Sequence, residues 1–507
     1  MGVRVERQLH DQIADRAPYL FVKRAAETWE VEGCESYAFG DSPDGHYVRW
    51  SWDGAKALVR NDRYGFSPVF YSATPGRFIV SDSIPKLLAL GADSEPDDEA
   101  LNVFLHIGWF LGEETPFKAI RSLPPGASLS WSAGRLDISS EPVPYQPASI
   151  SRDEAIDGYI ELFRQAIARR LPDTETFGLP ISGGRDSRHI LLELMRQGRK
   201  PTGVVTTEFY PPRRNTDTMP ARALAAHCGV PHTVLRQSPR FAAEAETILR
   251  TSFCADEHSW MMGVCRWMGD HLETTYDGII GDVLTQSPFL RWDWLDRYEQ
   301  GRWQELLDSM LDYYERLGGF VVMLNERERA RFPASRARER ILAELRKYAD
   351  HDDPINKFVC WSRSKREVAL MPFSMFAAYT KVETPYLDRD LFDFLYNLPV
   401  AKWYREGGNR NHFHSDVIVR AFPEAAHIPY SDDNWTRRRI VSRHHWLYAL
   451  QLSRYLASVP HSFLDARKAR PMLATSMLTG TRIASHYGPM MQYLAHLNEW
   501  SGRKVFG

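Results

Sequence analysis

Cysteine is scarce and scattered: five residues, Cys34, Cys228, Cys254, Cys265 and Cys360, odd in number and without a Cys-x-x-Cys pair. That pattern disfavours both a disulfide framework and a zinc knuckle and leaves buried or incidental thiols. Net charge is nearly absent too, formally -2 with 25% charged residues, so no global field draws the chain to nucleic acid or to an anionic membrane. No uninterrupted apolar run is long enough to cross a bilayer, and the opening MGVRVERQLHDQIADR has no apolar signal-peptide core. The cytoplasm is therefore the expected location. Internal repeats and low-complexity tracts are missing as well. What is present is a chain of 507 residues with 43% hydrophobic composition, enough for large cores and for two or more domains.

From Glu35 to about Trp131 the pattern is strand-like, with ESYAFG, HYVRWSW, PVFYSA and GRFIVSD alternating between turn residues. Asp137 to Ser151, rich in Pro and Ser, reads as a linker. Ser151-Arg-Asp-Glu154 has the form of a capping box opening a helix. Strand-like FGLPI, GVVTTEF and YDGIIG then alternate with helical segments, the order of a parallel sheet with crossover helices. Beyond about Leu290 the chain reads as almost wholly helical.

The stretch TFGLPISGGRDSRHILLELMRQG places Ser-Gly-Gly-Arg-Asp-Ser between a short strand and a helix with Ile190, Leu191, Leu194 and Met195 on one face. Open α/β sheets bind ligands at such strand ends. Gly183 and Gly184 let backbone approach closely, Ser182 and Ser187 supply hydroxyls, and Asp186 can hold the metal a polyphosphate brings. A tight turn without a ligand is the plain alternative.

That string resembles the pyrophosphate loop of the ATP-pyrophosphatase superfamily, and it lacks the Lys-Ser/Thr ending of a Walker loop. Three further stretches are similar to class II asparagine synthetases: NDRYGFSPVFYS with RFIVSDSIPKLLAL, then TPFKAIRSLPPGASLSW, and finally PYLDRDLFDFLYNLP. The resemblance implies an α/β chain, α+β overall. A degenerate Ntn-hydrolase-like β-rich domain would span 1–145. An ATP-pyrophosphatase domain of adenine nucleotide alpha hydrolase type would span 150–507, with a parallel sheet and a helical C-terminal part. It further implies ATP and Mg2+ as cofactors, with Ser182, Gly183, Gly184, Arg185, Asp186 and Ser187 on pyrophosphate. Asp186 and Asp282 would hold metal, and adenine would lie near Val204 to Thr206 at the end of the next strand.

The departures from that family are specific. Its glutaminases use an N-terminal Cys, whereas Met1 is followed by Gly2 here, so glutamine hydrolysis is expected to be absent. The same holds for the family's β-lactam synthetase, carbapenam synthetase and lasso-peptide cyclase branches, which join a carboxylate to an amine of the same substrate. The position holding Glu or Tyr in relatives falls on Ile279, and Ser431 stands about where a lysine is usual. Glu367, Glu383 and Lys381 are the candidate replacements, with Lys365 and Arg366 nearby, each against a structural role. Arg185 and Arg188 either reach phosphate or lie on the outer helix face.

Three other features read plainly. Asn434 to Trp446, with three consecutive arginines, suits a solvated helix face or an anion grip; His412 and His414 suit packing or hydrogen bonding; Asp256 to His271 suits core packing or, as the resemblance implies, a wall of the acyl-substrate pocket. The expected activity is an AMP-forming carboxylate–amine ligase of specialised metabolism, acting on a small-molecule or peptide carboxylate, with no nucleic acid or membrane partner. The alternatives are an ammonia-dependent amide synthetase and a non-catalytic, partner-binding relic of the fold.

Overall fold

The computed structural model describes residues 13–40, 45–208, 216–255, 257–286, 293–318, 320–407, 412–431, 443–458, 463–480 and 483–501. Ten strands fill the first part: β1 (Tyr19–Ala25), β2 (Thr28–Gly33), β3 (Ser36–Gly40), β4 (Tyr47–Trp52), β5 (Lys56–Asn61), β6 (Phe70–Thr74), β7 (Arg77–Ser81), β8 (Arg121–Ser122), β9 (Ala127–Ser132) and β10 (Arg135–Ser140). They form two antiparallel sheets, ordered β2-β1-β7-β6-β8 and β10-β9-β5-β4-β3. The inward faces follow the strand period: Val48, Trp50 and Trp52 of β4 and Ala127, Leu129 and Trp131 of β9 are buried, and they meet Leu20, Val22, Phe78 and Val80 of the facing sheet. β1 and β2 lie before the region in which the sequence shows strand alternation. The linker is shorter than expected, because Asp137–Ser140 pair with Ser130–Ala127 and belong to β10.

Ser151 then opens the helix Arg152–Ala168 with both halves of the capping box: its hydroxyl accepts from the Glu154 amide, and Glu154 accepts from the Ser151 amide. Five parallel strands follow, β11 (Phe177–Pro180), β12 (Gly203–Glu208), β13 (His232–Arg236), β14 (Thr274–Tyr276) and β15 (Lys381–Glu383). Their order is β13-β12-β11-β14-β15. Ile190, Leu191 and Leu194 are fully buried beneath the helix Asp186–Arg196, so β11 sits mid-sheet with its carboxyl end at the Ser182 loop.

Two strand expectations change. YDGIIG is mostly a turn, since the Asp277 carboxylate accepts the Ile279 amide at 2.7 Å and ends β14 at Tyr276. Among the described residues the helical C-terminal half contains one strand, β15, which pairs with β14. Two segments of that half, Cys360–Val368 and Met371–Phe376, are π-helical. The helices Arg443–Ser458 and Ile483–Trp500 close the molecule, and Tyr493 stacks on Phe104 of the N-terminal part at 4.7 Å. No helix among the described residues is long and apolar enough to cross a membrane.

Candidate active site at the carboxyl ends of the parallel strands

In the loop after β11 every amide from Ser182 to Gly184 meets a side-chain oxygen. Ser182 donates to the Ser187 hydroxyl at 3.3 Å, Gly183 to Asp217 Oδ1 at 3.0 Å, and Gly184 to the Ser182 hydroxyl at 3.0 Å. Consecutive inward-turned N–H groups at a helix start make a concavity that favours anions. Gly183 is required by close approach: a Cβ there would stand 2.6 Å from Ser431 Cβ, whose own amide donates to the Gly183 carbonyl at 2.9 Å. Asp217 precedes the helix Thr218–Cys228 without capping it, and its carboxylate serves the loop instead.

Three further carboxylates stand beside this loop. Asp186 begins the helix after it, Asp277 follows β14, and Asp282 lies in the first turn of the helix Gly281–Gln286. Gly278 and Gly281 fit directly against Asp186, and Ile280 between them takes a left-handed φ of 69°, a strained conformation for a β-branched residue. Asp186 Oδ1 is buried without a hydrogen-bond partner and lies 3.4 Å from His414 Nδ1. Burial, and then the Asp282 charge, push the Asp186 carboxyl well above its usual range. Burial raises Asp277 to about 6. Asp282 also shifts upward with burial, less securely held there because solvent reaches it. His414 is fully buried and shares contacts with Tyr159, Tyr386, His189 and Thr285; burial pushes its ring pKa well down, so it is neutral.

A second charged cluster abuts the first. His258 Nε2 is 2.8 Å from Glu367 Oε1, and Arg363 lies 3.2 Å from both Glu367 and Glu257. Arg363 and Glu367 come from the π-helical turn, and His258 has a left-handed φ of 71°. π-Helical turns and positive φ values concentrate at functional sites. Burial would depress the His258 ring, but the Glu367 charge and contact outweigh it and the net shift is upward. Burial is likewise overcome at Glu367, where Arg363 and His258 bring the carboxyl below its usual value. Their charges reach the acidic group, His258 lowering Asp277 and Arg363 lowering Asp282.

The residues named from sequence are thus partly gathered. Ser182 to Ser187, Asp186 and Asp282 converge, and Glu367 stands at their flank. Glu383 ends β15 and pairs with Lys381 at 3.1 Å; Lys381, at the strand's opposite end, also meets Asp173. Val204 is fully buried inside the sheet and paired on both sides. Thr206 donates to the Ile181 carbonyl at 2.7 Å, and β12 ends two residues later at Glu208. Arg188 is buried and donates to the carbonyls of Ile428 and Pro429, stacking on Tyr430, so it anchors that segment from within. Arg185 stacks on the same ring and donates to Ser415. Lys365 and Arg366 are buried away from these contacts, Arg366 donating to the Glu114 carbonyl.

Ser431 does touch the loop, while 434–442 of the arginine run lie outside the described residues. His258 sits within the string read as core packing, a role that Met261, Met262 and Met268 fulfil. Asp217, Arg363 and the His414 contact with Asp186 carry no motif; only the fold brings them in.

Residues 158–415, half of the chain, match the asparagine synthase family, and residues 39–141 match the glutamine amidotransferase domain. Among curated proteins, amidase chyE of Penicillium rubens is 26% identical over 166 residues, 30% of this chain and 24% of that protein. Amidase chry2 of Gibberella zeae is 25% identical over 166 residues, with the same coverage of 30% and 24%. The matched part of the chain spans about a quarter of the length of these relatives. A solved structure titled as the allosteric regulatory enzyme of purine biosynthesis aligns at 12% identity over 39% of this chain and 48% of that one, with a TM-score of 0.15 too low to carry an argument. Because the family match covers half the chain and encloses the Ser182 loop, Asp277 and Asp282, the chain belongs to the asparagine synthase family.

Proposed function

We propose that the chain is an ATP-dependent, AMP-forming ligase that activates a carboxylate and joins it to an amine. One observation carries this: loop amides and paired acidic groups converge at the carboxyl ends of β11 and β14, where Asp186 Oδ1 is buried with no hydrogen-bond partner. A carboxylate pushed upward by a neighbouring carboxylate is relieved by a cation, so Asp186 and Asp282 fit Mg2+. Mg2+ there would supply charge neutralisation for departing pyrophosphate. Ser182, Gly183, Gly184 and Ser187 would cradle the phosphates, and Arg185 flanks them. For adenine, the end of β12 at Thr207 and Glu208, which pairs with β13 but runs past its pairing with β11, suits better than Val204.

The amine would arrive as such. The Cys34 amide donates to the Tyr19 carbonyl at 2.7 Å, so its thiol has no free α-amine beside it to act as base. The substrate class is a small-molecule or peptide carboxylate, in a cytoplasmic, specialised metabolism. The relatives' amidase names concern proteins of which this chain matches only a part.

The test is calorimetric titration with Mg·ATP, alongside Asp186→Asn and Asp282→Asn, followed by ATP–pyrophosphate exchange over a panel of carboxylates. Binding weakened by both changes, with carboxylate-dependent exchange, supports the ligase; a primary amide made from ammonia would make it an amide synthetase. A folded wild type with neither heat nor exchange would leave the non-catalytic relic.

A further inference from the structure

The site as built holds phosphate and metal ligands, and Ile279 at the turn after β14 cannot move a proton. An amine that arrives protonated needs a base before it can attack. We propose that His258 is that base, with Glu367 as its positioning residue; this rests on the ligase reading. The His258 charge reaches Asp277, and Arg363, paired with Glu367, reaches Asp282; the two residues sit on unusual backbone segments, a left-handed His258 and a π-helical turn. Side chains of such cost are held where their placement matters.

Glu367 faces Nε2 at 2.8 Å, so in the proposed step Nδ1 is the ring atom that takes the proton. His258 first takes one proton from the ammonium; the freed amine nitrogen then forms a bond to the activated carbonyl carbon, the bond from that carbon to the AMP oxygen breaks with both electrons leaving on AMP, and the second nitrogen proton leaves to the departing phosphate or to water, as it does for any amine. Glu257, half exposed at the cluster's outer edge, gives the proton a way to solvent. Glu257, His258 and Glu367 are also close enough together to hold a metal ion. Arg363 already supplies the cation to both carboxylates, however, which favours proton transfer over a metal.

The groups facing His258 set the sign of its pH response. Glu367 and Glu257 raise its pKa and Arg363 lowers it; Asp277 lies across the turn, and Tyr314 faces Arg363 and both carboxylates. Activity with a protonated amine therefore rises with pH as His258 loses its proton, and Glu367→Gln moves that limb to lower pH.

The test compares two amines on the same activated carboxylate, found by running exchange with each proteinogenic amino acid. Ammonia is mostly protonated near neutral pH and hydroxylamine is mostly not. In His258→Gln, amide formation with ammonia is expected to fall by about 100-fold or more while hydroxamate formation and pyrophosphate exchange persist. Equal loss of both products, with exchange retained, overturns the assignment to His258 and leaves the ligase reading standing. Absence of exchange in the wild type overturns the ligase reading and this one together. A readout independent of turnover is peptide-resolved carbethoxylation of His258 in the free protein. Its reactive fraction should titrate above an ordinary histidine and shift to lower pH in Glu367→Gln; an unshifted or unreactive His258 counts against the pair.

Discussion

Gly281 rests directly on Asp186: a Cβ added to Gly281 would stand 2.6 Å from Asp186 Oδ1 and 2.9 Å from Tyr386 Cζ. The carboxylate that begins one helix is thus positioned by the absence of a side chain at the start of another. Gly281→Ala must displace either the carboxylate or the turn after Asp277, at a cost of about 1–3 kcal/mol. We expect a fold that survives with a lower melting temperature and a Mg·ATP affinity reduced at least as far as in Asp186→Asn. Calorimetry and thermal unfolding check this, and unchanged affinity would mean that Asp186 is not where nucleotide-bound metal sits.

Asp217 occupies the Gly183 amide that an incoming phosphate would use. A carboxylate at that place repels an anion and competes for the same donor. Removing it in Asp217→Ala is expected to tighten binding of inorganic pyrophosphate by on the order of 1 kcal/mol, read by isothermal titration. Weaker binding would instead show that Asp217 helps to bind the ligand, through a cation.

Asp388 of the Pro-Tyr-Leu-Asp segment is the N-cap of the helix Arg389–Tyr396, and its carboxylate also accepts from Arg170 at 2.6 Å and Arg169 at 2.8 Å. Its side chain is 1% exposed. Burial alone would raise its pKa, but the two arginines bring it below the usual 3.8. A lowered folded pKa means that this contribution is complete above the unfolded value near 4 and fades as pH falls through the lower folded one. Asp388→Ala removes the buried carboxylate that both arginines share, Arg169 keeping Asp390 at 3.4 Å, and should cost about 3–5 kcal/mol at neutral pH. The deficit against wild type should shrink in acid, as followed by urea unfolding between pH 7 and pH 3.

What could be foreseen from sequence divides along a physical line. The Ser182 loop, the Ser151 cap and the strands β3 to β7 are local: each depends on neighbours within a few residues, and the string shows it. Pro-Tyr-Leu-Asp could be seen as a motif, but that it clamps Arg169 and Arg170 from 218 and 219 residues away could not. β15, three residues long, is too short for a period, and β13 shows no alternation of burial; both exist because a neighbour offers an edge. His258 was hidden for a related reason. It lies in a methionine-rich stretch, and only the π-helical turn, itself without a sequence signature, brings Glu367 to it.

Lys365 has no role in the proposed chemistry and makes a separate forecast. It is 4% exposed, and burial, followed by the nearby Arg366 charge, lowers its pKa from 10.5 to about 7. Between those two values the unfolded chain holds a proton that the folded one does not, so stability should rise with pH across that window. Lys365→Met keeps the unbranched shape and removes the ionisable group. The variant should be more stable than wild type at pH 7, by on the order of 1–3 kcal/mol, with the gap narrowing as pH approaches 10. Denaturant unfolding of both proteins at several pH values measures it. A gap that stays constant with pH would assign the gain to packing rather than to the buried amine.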